Sequence, residues 1–177
     1  MKILFRSAVL IAAAAAALTP AAANASVTIN INEVGLDVLA TGSGSLNLNG
    51  LQFSSVFGGA LGITSNIAYV GTGLDPRANS YTGLIGPASF GIGSFAAFSS
   101  TTGTQLGING GNFSSPLVFL PVGYTSGGAL STTATWLGAS FVSLGLTPGS
   151  YVYTSPYDTF TVNIGPLVSG VPEVTGE

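Results

Sequence analysis

After residue 25, no amphipathic pattern of period 3.6 runs for three turns, while apolar–polar alternation of period 2 recurs at both ends of the chain. That absence leaves strands as the means of building a core. Val27-Thr28-Ile29-Asn30-Ile31-Asn32 alternates, and Leu36, Val38 and Ala40 resume the alternation with reversed parity after Gly35. A turn around Glu33–Gly35 therefore joins two strands as a hairpin. Leu46-Asn47-Leu48-Asn49 alternates again beyond the glycine-spaced Thr41-Gly42-Ser43-Gly44, and reads as a further strand. Near the other end, turns at Thr147-Pro148-Gly149 and Ser155-Pro156-Tyr157-Asp158 bound strands over Ser150–Thr154 and Thr159–Ile164. In the second of these, Phe160, Val162 and Ile164 share one face and Thr159, Thr161 and Asn163 the other.

The middle carries less pattern. Leu51–Tyr69 is compatible with a short helix or with irregular strands. Ile67–Gly71 reads as a strand entering a loop over Thr72–Ser80, and glycines recurring between Ser80 and Asn112 imply short or bulged strands. Leu117–Leu120 is an apolar strand ended by Pro121, Leu130–Trp136 is Ser/Thr-rich and strand-forming, and Ala139–Leu146 has room for one helical turn. Many short strands separated by turn signals predict an all-β fold, an antiparallel β-sandwich of two antiparallel sheets.

The first 25 residues are different in kind. Lys2 and Arg6 precede an apolar stretch from Ala8 to Leu18, and Ala23-Asn24-Ala25 closes the segment before Ser26. A basic start, a short apolar core and an A-x-A end are the parts of a secretory signal peptide, with cleavage expected between Ala25 and Ser26. The chain has no cysteine, so disulfides and thiolate metal sites are excluded and the fold is held by packing and backbone hydrogen bonds. Residues 26–165 are expected to form the sandwich. Residues 166–177, with two prolines and two acids but no alternation, read as a flexible tail.

Charge is scarce beyond the leader: Arg77 is the one base, against Glu33, Asp37, Asp75, Asp158, Glu173 and Glu177. Binding to nucleic acid requires several phosphates to be neutralised, which one arginine cannot do, and an anionic membrane surface is excluded on the same ground. With no histidine or cysteine, Ser-His-Asp and Cys-His catalysis and zinc held by imidazole or thiolate are also excluded. Carboxylate chemistry remains. Glu33 and Asp37 are the closest candidate pair in sequence for glycoside hydrolysis, which needs two carboxyls facing a shared cleft; their blander role is to flank a solvated turn. Asp75 and Arg77 lie in an Asp-Pro turn and are expected to pair with each other. Calcium would be held weakly, through Asp75 with Asn79 or through Asp158, but no D-x-D-x-D-G loop is present and no cofactor is expected.

Carbohydrate recognition has the best local argument, since sugars are bound by aromatic faces together with amide and hydroxyl groups. Asn30, Asn32, Asn47 and Asn49 fall on polar faces of neighbouring candidate strands and would form a polar ladder. Trp136, Tyr151 and Tyr153 are candidate stacking platforms, the alternative for Trp136 being a place in the core. Strands so poor in charge also have weakly protected edges, which favours self-association.

Several stretches resemble a group of bacterial exported proteins that carry the PEP-CTERM sorting signal. They are Val27–Ile31 through Glu33-Val34-Gly35, Ala40–Leu48, Leu144–Tyr151 and Phe160–Gly165, and Val171-Pro172-Glu173 stands where the Val-Pro-Glu-Pro-like motif of that family falls. Val174 replaces its last proline, and the apolar helix and basic cluster that follow in the family have no counterpart before Glu177. The resemblance implies a secreted or surface protein associated with exopolysaccharide, and the departures imply a product without a stable membrane anchor. The expected function is non-enzymatic, in the surface or exopolysaccharide matrix. A discrete carbohydrate-binding module is the alternative, and a carboxylate-dependent glycosidase the remote one.

Overall fold

The structure is a computed structural model and describes residues 26–59 and 61–165. The first hairpin forms as its alternation requires. Strand β1 (Ser26–Val34) pairs antiparallel with β2 (Asp37–Gly44) through the two-residue turn Gly35–Leu36. Gly35 sits there at φ +65°, where a turn matched to strand twist needs a residue tolerant of positive φ. β2 continues through Thr41-Gly42-Ser43-Gly44 instead of breaking there. Gly42 lies on the inner face, where a Cβ would approach the side chains of Thr132 and Leu106 to within 3 Å. This glycine makes room for the opposite sheet; it does not end the strand.

The remaining strands are β3 (Gln52–Gly58), β4 (Gly62–Thr64), β5 (Tyr69–Thr72), β6 (Arg77–Thr82), β7 (Phe95–Ala97), β8 (Ser100–Gly103), β9 (Leu106–Asn109), β10 (Leu117–Pro121), β11 (Leu130–Trp136), β12 (Gly149–Thr154) and β13 (Thr159–Ile164). They form two packed sheets, a six-stranded one in the order β12-β13-β1-β2-β11-β8 and a seven-stranded one in the order β3-β6-β10-β9-β5-β4-β7. The all-β sandwich follows the sequence reading, with one correction. β1 and β13 pair in parallel, so the six-stranded sheet is not wholly antiparallel. A parallel neighbour arises because the last strand returns beside the first in the same direction.

Between the sheets lies one apolar core. Ile29, Ile31, Phe160 and Val162 enter it from the six-stranded sheet, and Val70, Ile108, Val118 and Leu120 from the seven-stranded one. Each such fully buried side chain contributes about 1.5–3 kcal/mol relative to exposure.

Two local expectations are revised, and two that stood open are resolved. Leu46–Asn49 is a loop, because Leu46 is drawn into the core and Tyr124 and Asp158 take its backbone N–H groups. The loop expected over Thr72–Ser80 is shorter, since β6 begins at Arg77. Leu51–Tyr69 resolves into strands β3 and β4 and a single 3-10 turn at Ser65–Ile67. Ala139–Leu146 makes tight turns, in which Leu144 N–H donates to Ser140 O at 3.0 Å. The leader with Ala25, and the tail with Val171, Pro172 and Glu173, lie outside the described residues; Ser26 is the first residue of β1.

Candidate functional site

The outer face of the six-stranded sheet is built from the polar half of each alternation. Register places Ser150, Asn163, Asn30, Thr41, Thr133 and Thr102 side by side, one from each strand, in a row that crosses the whole sheet. All six side chains are hydroxyls or amides, and all are half-buried or exposed. Ser150 Oγ donates to Asn163 Oδ1 at 2.8 Å, and Asn163 Nδ2 donates to Asn30 Oδ1 at 2.9 Å. At the far edge the hydroxyls of Thr102 and Thr133 are 2.7 Å apart. The parallel row of Val152, Thr161, Thr28, Ser43 and Ser131 repeats the pattern one pleat away, with a single apolar member. A third row, of Asn32, Leu39, Thr135 and Ser100, flanks it on the other side. Neighbouring strands lie about 4.8 Å apart and same-face residues about 6.8 Å apart along a strand, so the polar groups form a regular grid. No charged side chain stands in these three rows.

The polar ladder expected from asparagines is therefore present with different members. Asn30 and Asn32 belong to it. Asn47 and Asn49 do not, because they lie in a loop, where Asn47 Oδ1 accepts Asn49 N–H at 2.9 Å and the Ser126 hydroxyl at 3.1 Å. The true neighbour of Asn30 is Asn163, across the parallel β1–β13 pair. Asn163 and the hydroxyls of β11 were visible as polar faces of alternating strands, but their adjacency to Asn30 depends on long-range pairing that alternation does not encode.

Among the aromatic candidates, Trp136 and Tyr153 are corrected from surface platforms to core residues. Trp136 is 2% exposed, its Nε1–H donates to Ala96 O at 3.1 Å, and Phe98 meets its ring edge-on. Tyr153 is fully buried and donates to Pro87 O at 2.9 Å, and burial raises its phenol pKa. Both face inward because they share parity with Val38 and Phe160, their register partners. Tyr151 is half-buried, stands edge-on to Phe90 and donates to Thr147 O at 2.8 Å. Partial burial raises its pKa as well.

The acids among the described residues serve the fold. Glu33 pairs with Val38 and Asp37 with Val34, so the two carboxylates project from opposite faces of the hairpin. Each clasps the loop that follows β11. Glu33 Oε1 accepts Phe141 N–H at 2.6 Å, and Asp37 Oδ1 accepts Gly138 N–H at 2.8 Å. An open groove of about 350 Å³ beside this loop is lined by Glu33, Leu36 and Ser140 but not by Asp37. The shared cleft that a glycosidase pair requires is not formed by these residues.

Asp75 Oδ1 lies 3.6 Å from Arg77 Nε and accepts Arg77 N–H at 2.9 Å, which makes the expected loop pair. Asp158 is 3% exposed, and its carboxylate accepts Asn47 N–H. Asn79 lies on β6, opposite Val56 of β3 and Leu120 of β10. No group of three or more acidic, histidine or cysteine side chains gathers among the described residues.

These features define an all-β sandwich whose six-stranded sheet carries a row of hydroxyls and amides, free of charge, across its outer face. Comparison of the chain with family models, with curated proteins and with solved structures returned no match.

Proposed function

We propose that the protein is an exported, non-enzymatic component of a bacterial surface or exopolysaccharide matrix, and that it binds neutral glycan through the outer face of the six-stranded sheet. The observation that carries this reading is the row Ser150–Asn163–Asn30–Thr41–Thr133–Thr102, which spans six strands without a charge. A glycan presents hydroxyl donors and acceptors at repeating intervals, and a grid of hydroxyls and amides answers them in kind. A neutral hydrogen bond nets only about 0.5–1.5 kcal/mol in water, so affinity comes from many contacts made together. The leader at Met1–Ala25 supports export, and the resemblance to PEP-CTERM proteins supports the matrix setting.

Co-sedimentation with exopolysaccharide from the producing organism, and with insoluble neutral glycans, tests the reading. Thr41→Glu places a carboxylate at the centre of the row, where it desolvates badly against a neutral sugar. Binding by the native protein, reduced at least about tenfold by Thr41→Glu with the melting temperature unchanged, is the expected result. Absence of binding, or binding indifferent to this substitution, would overturn it.

A further inference from the structure

A two-sheet sandwich has four edge strands, and three of these are capped at one or more positions by described residues. At β12, Ile85 and Thr154 exchange both backbone hydrogen bonds at 2.9 Å, and the same segment is stitched by Ile92 N–H and Phe90 O to Gly145 and Thr147 just before the strand begins. At β8, Leu74 N–H donates to Gly103 O, and Gly73 N–H donates to the Thr101 hydroxyl. At β7, the Trp136 indole donates to Ala96 O, and the chain turns directly from β7 into β8 to close that side of the sandwich.

The fourth edge, β3, is open. It pairs with β6 on one side, and no described residue is paired with its other side. The strand Gln52-Phe53-Ser54-Ser55-Val56-Phe57-Gly58 carries no charge and no proline, the usual devices that stop an edge from pairing. Phe53 is 57% and Val56 60% exposed. A bulge between Phe53 and Ser55 leaves Ser55–Gly58 as the regular run.

We infer that β3 is a self-association edge, and that its occupant is β3 of a second copy, paired antiparallel across a two-fold axis so that two seven-stranded sheets become one continuous sheet. Several observations favour a second copy. β3 is the one edge that no described residue caps, and an isologous contact through it closes at two. An antiparallel two-fold sets the Gln52 end of one strand beside the Gly58 end of the other. Arg77, the register partner of Gly58, is thereby kept away from its own copy, and no like charges meet across the new pairing. The short regular run buries less than the ~800 Å² per partner of a standard interface, so the dimer is weak and concentration-dependent. It presents two polar outer faces from one particle, although its formation does not depend on what those faces bind.

The test is sedimentation velocity on the protein, expressed from its full-length gene, over roughly three decades of concentration. Hydrogen exchange is measured at the two extremes. The expected result is a monomer–dimer equilibrium in which the amides of residues 52–58 gain protection at high concentration. Val56→Lys puts two like charges at the new pairing and raises the dissociation constant at least about tenfold, whereas Val152→Lys, a change at another exposed valine, on β12, leaves it unaltered. Circular dichroism of both variants separates lost association from lost folding, and the exchange measurement needs no variant at all. A monomer at every concentration would overturn the inference. So would a dimer indifferent to Val56→Lys, open-ended polymers, or protection gained only elsewhere on the chain.

Discussion

The outer faces of the two sheets are made from the same kind of strand and have opposite chemistry. On the six-stranded sheet the outward residues are mostly threonine, serine and asparagine, and those of the central row are partly joined by their own lateral hydrogen bonds. On the seven-stranded sheet the outward residues gather into a second apolar cluster of Tyr69, Ala78, Leu117 and Phe119, flanked by Phe57 and Ile67. Phe119 stands 4.9 Å from Phe57 and 6.1 Å from Tyr69, centroid to centroid. Gly71 and Gly107 face each other across β5 and β9 and give these rings a floor without side chains: a Cβ on Gly71 would fall 2.5 Å from the Tyr69 hydroxyl. One face therefore stabilises the fold through burial, while the other contributes little stability and leaves its polar groups available for contacts outside the molecule. Alternation alone thus does not decide what a sheet face does; the residue types on the outward half decide it.

The largest effect that would break this contrast is expected at Phe119. Phe119→Ala removes the ring that Phe57 and Tyr69 pack against, on a face where nothing else fills the gap. The expected loss is about 3–5 kcal/mol in urea denaturation. Thr133→Ala, at the centre of the polar face, is expected to cost no more than about 0.5–1 kcal/mol, since water replaces its partner. Equal losses at the two sites would mean that the polar face is as much a part of the core as the aromatic one.

A smaller effect is expected in alkali. Burial pushes the Tyr69 phenol from its ordinary value of 10.0 up to about 12. The folded state therefore holds its proton more tightly than the unfolded chain. The sign follows from linkage: the contribution is fully present below pH 10 and is lost as pH rises from 10 toward 12. The three rows of the polar face have no titratable group to match it. In an alkaline denaturation series Tyr69→Phe, measured against its own stability at pH 8, should lose less between pH 10 and 12 than the native protein does. A variant that tracks the native curve would show that the aromatic face opens before its phenol ionises.

The same contrast explains what could be read from the chain. The polar face belongs to strands buried on one side, and such strands print their alternation in the sequence. β11 and β13 coincide with the runs Leu130–Trp136 and Thr159–Ile164, and Val27–Asn32 falls inside β1. The seven-stranded sheet has strands covered on both sides. β5, β9 and the Leu117–Leu120 run of β10 are buried throughout, so their text is a continuous apolar run or a glycine-broken one with no period to detect. β3 fails differently: its residues are mostly exposed, and its bulge disrupts the count. For the site, Asn30 and Asn32 were legible as outward residues, whereas Asn163 as the neighbour of Asn30 was not. Their pairing joins positions 133 residues apart. Trp136 carried no sequence mark of its inward face beyond the parity it shares with Ala134 and Thr132.

The finest test of the polar face concerns whether its lateral bonds organise it or merely coexist. Asn163 sits between Ser150, which donates to its Oδ1, and Asn30, whose Oδ1 accepts its Nδ2 hydrogen. Asn163→Ala removes both bonds but leaves their partners within reach of water, so the expected loss is only about 0.5–1 kcal/mol. Asn30→Ala should cost a similar amount, and the double variant should cost less than the sum of the two. The shortfall measures the Asn30–Asn163 coupling at about 0.5 kcal/mol. Additive losses would mean that the two amides are independently hydrated and that the row is held in register by the backbone ladder alone. A coupling well above 1 kcal/mol would mean that this face is organised by a connected polar network. The hydroxyls and amides would then be held in fixed directions before the proposed glycan meets them, and that binding would lose less freedom than a row of independently rotating side chains must give up.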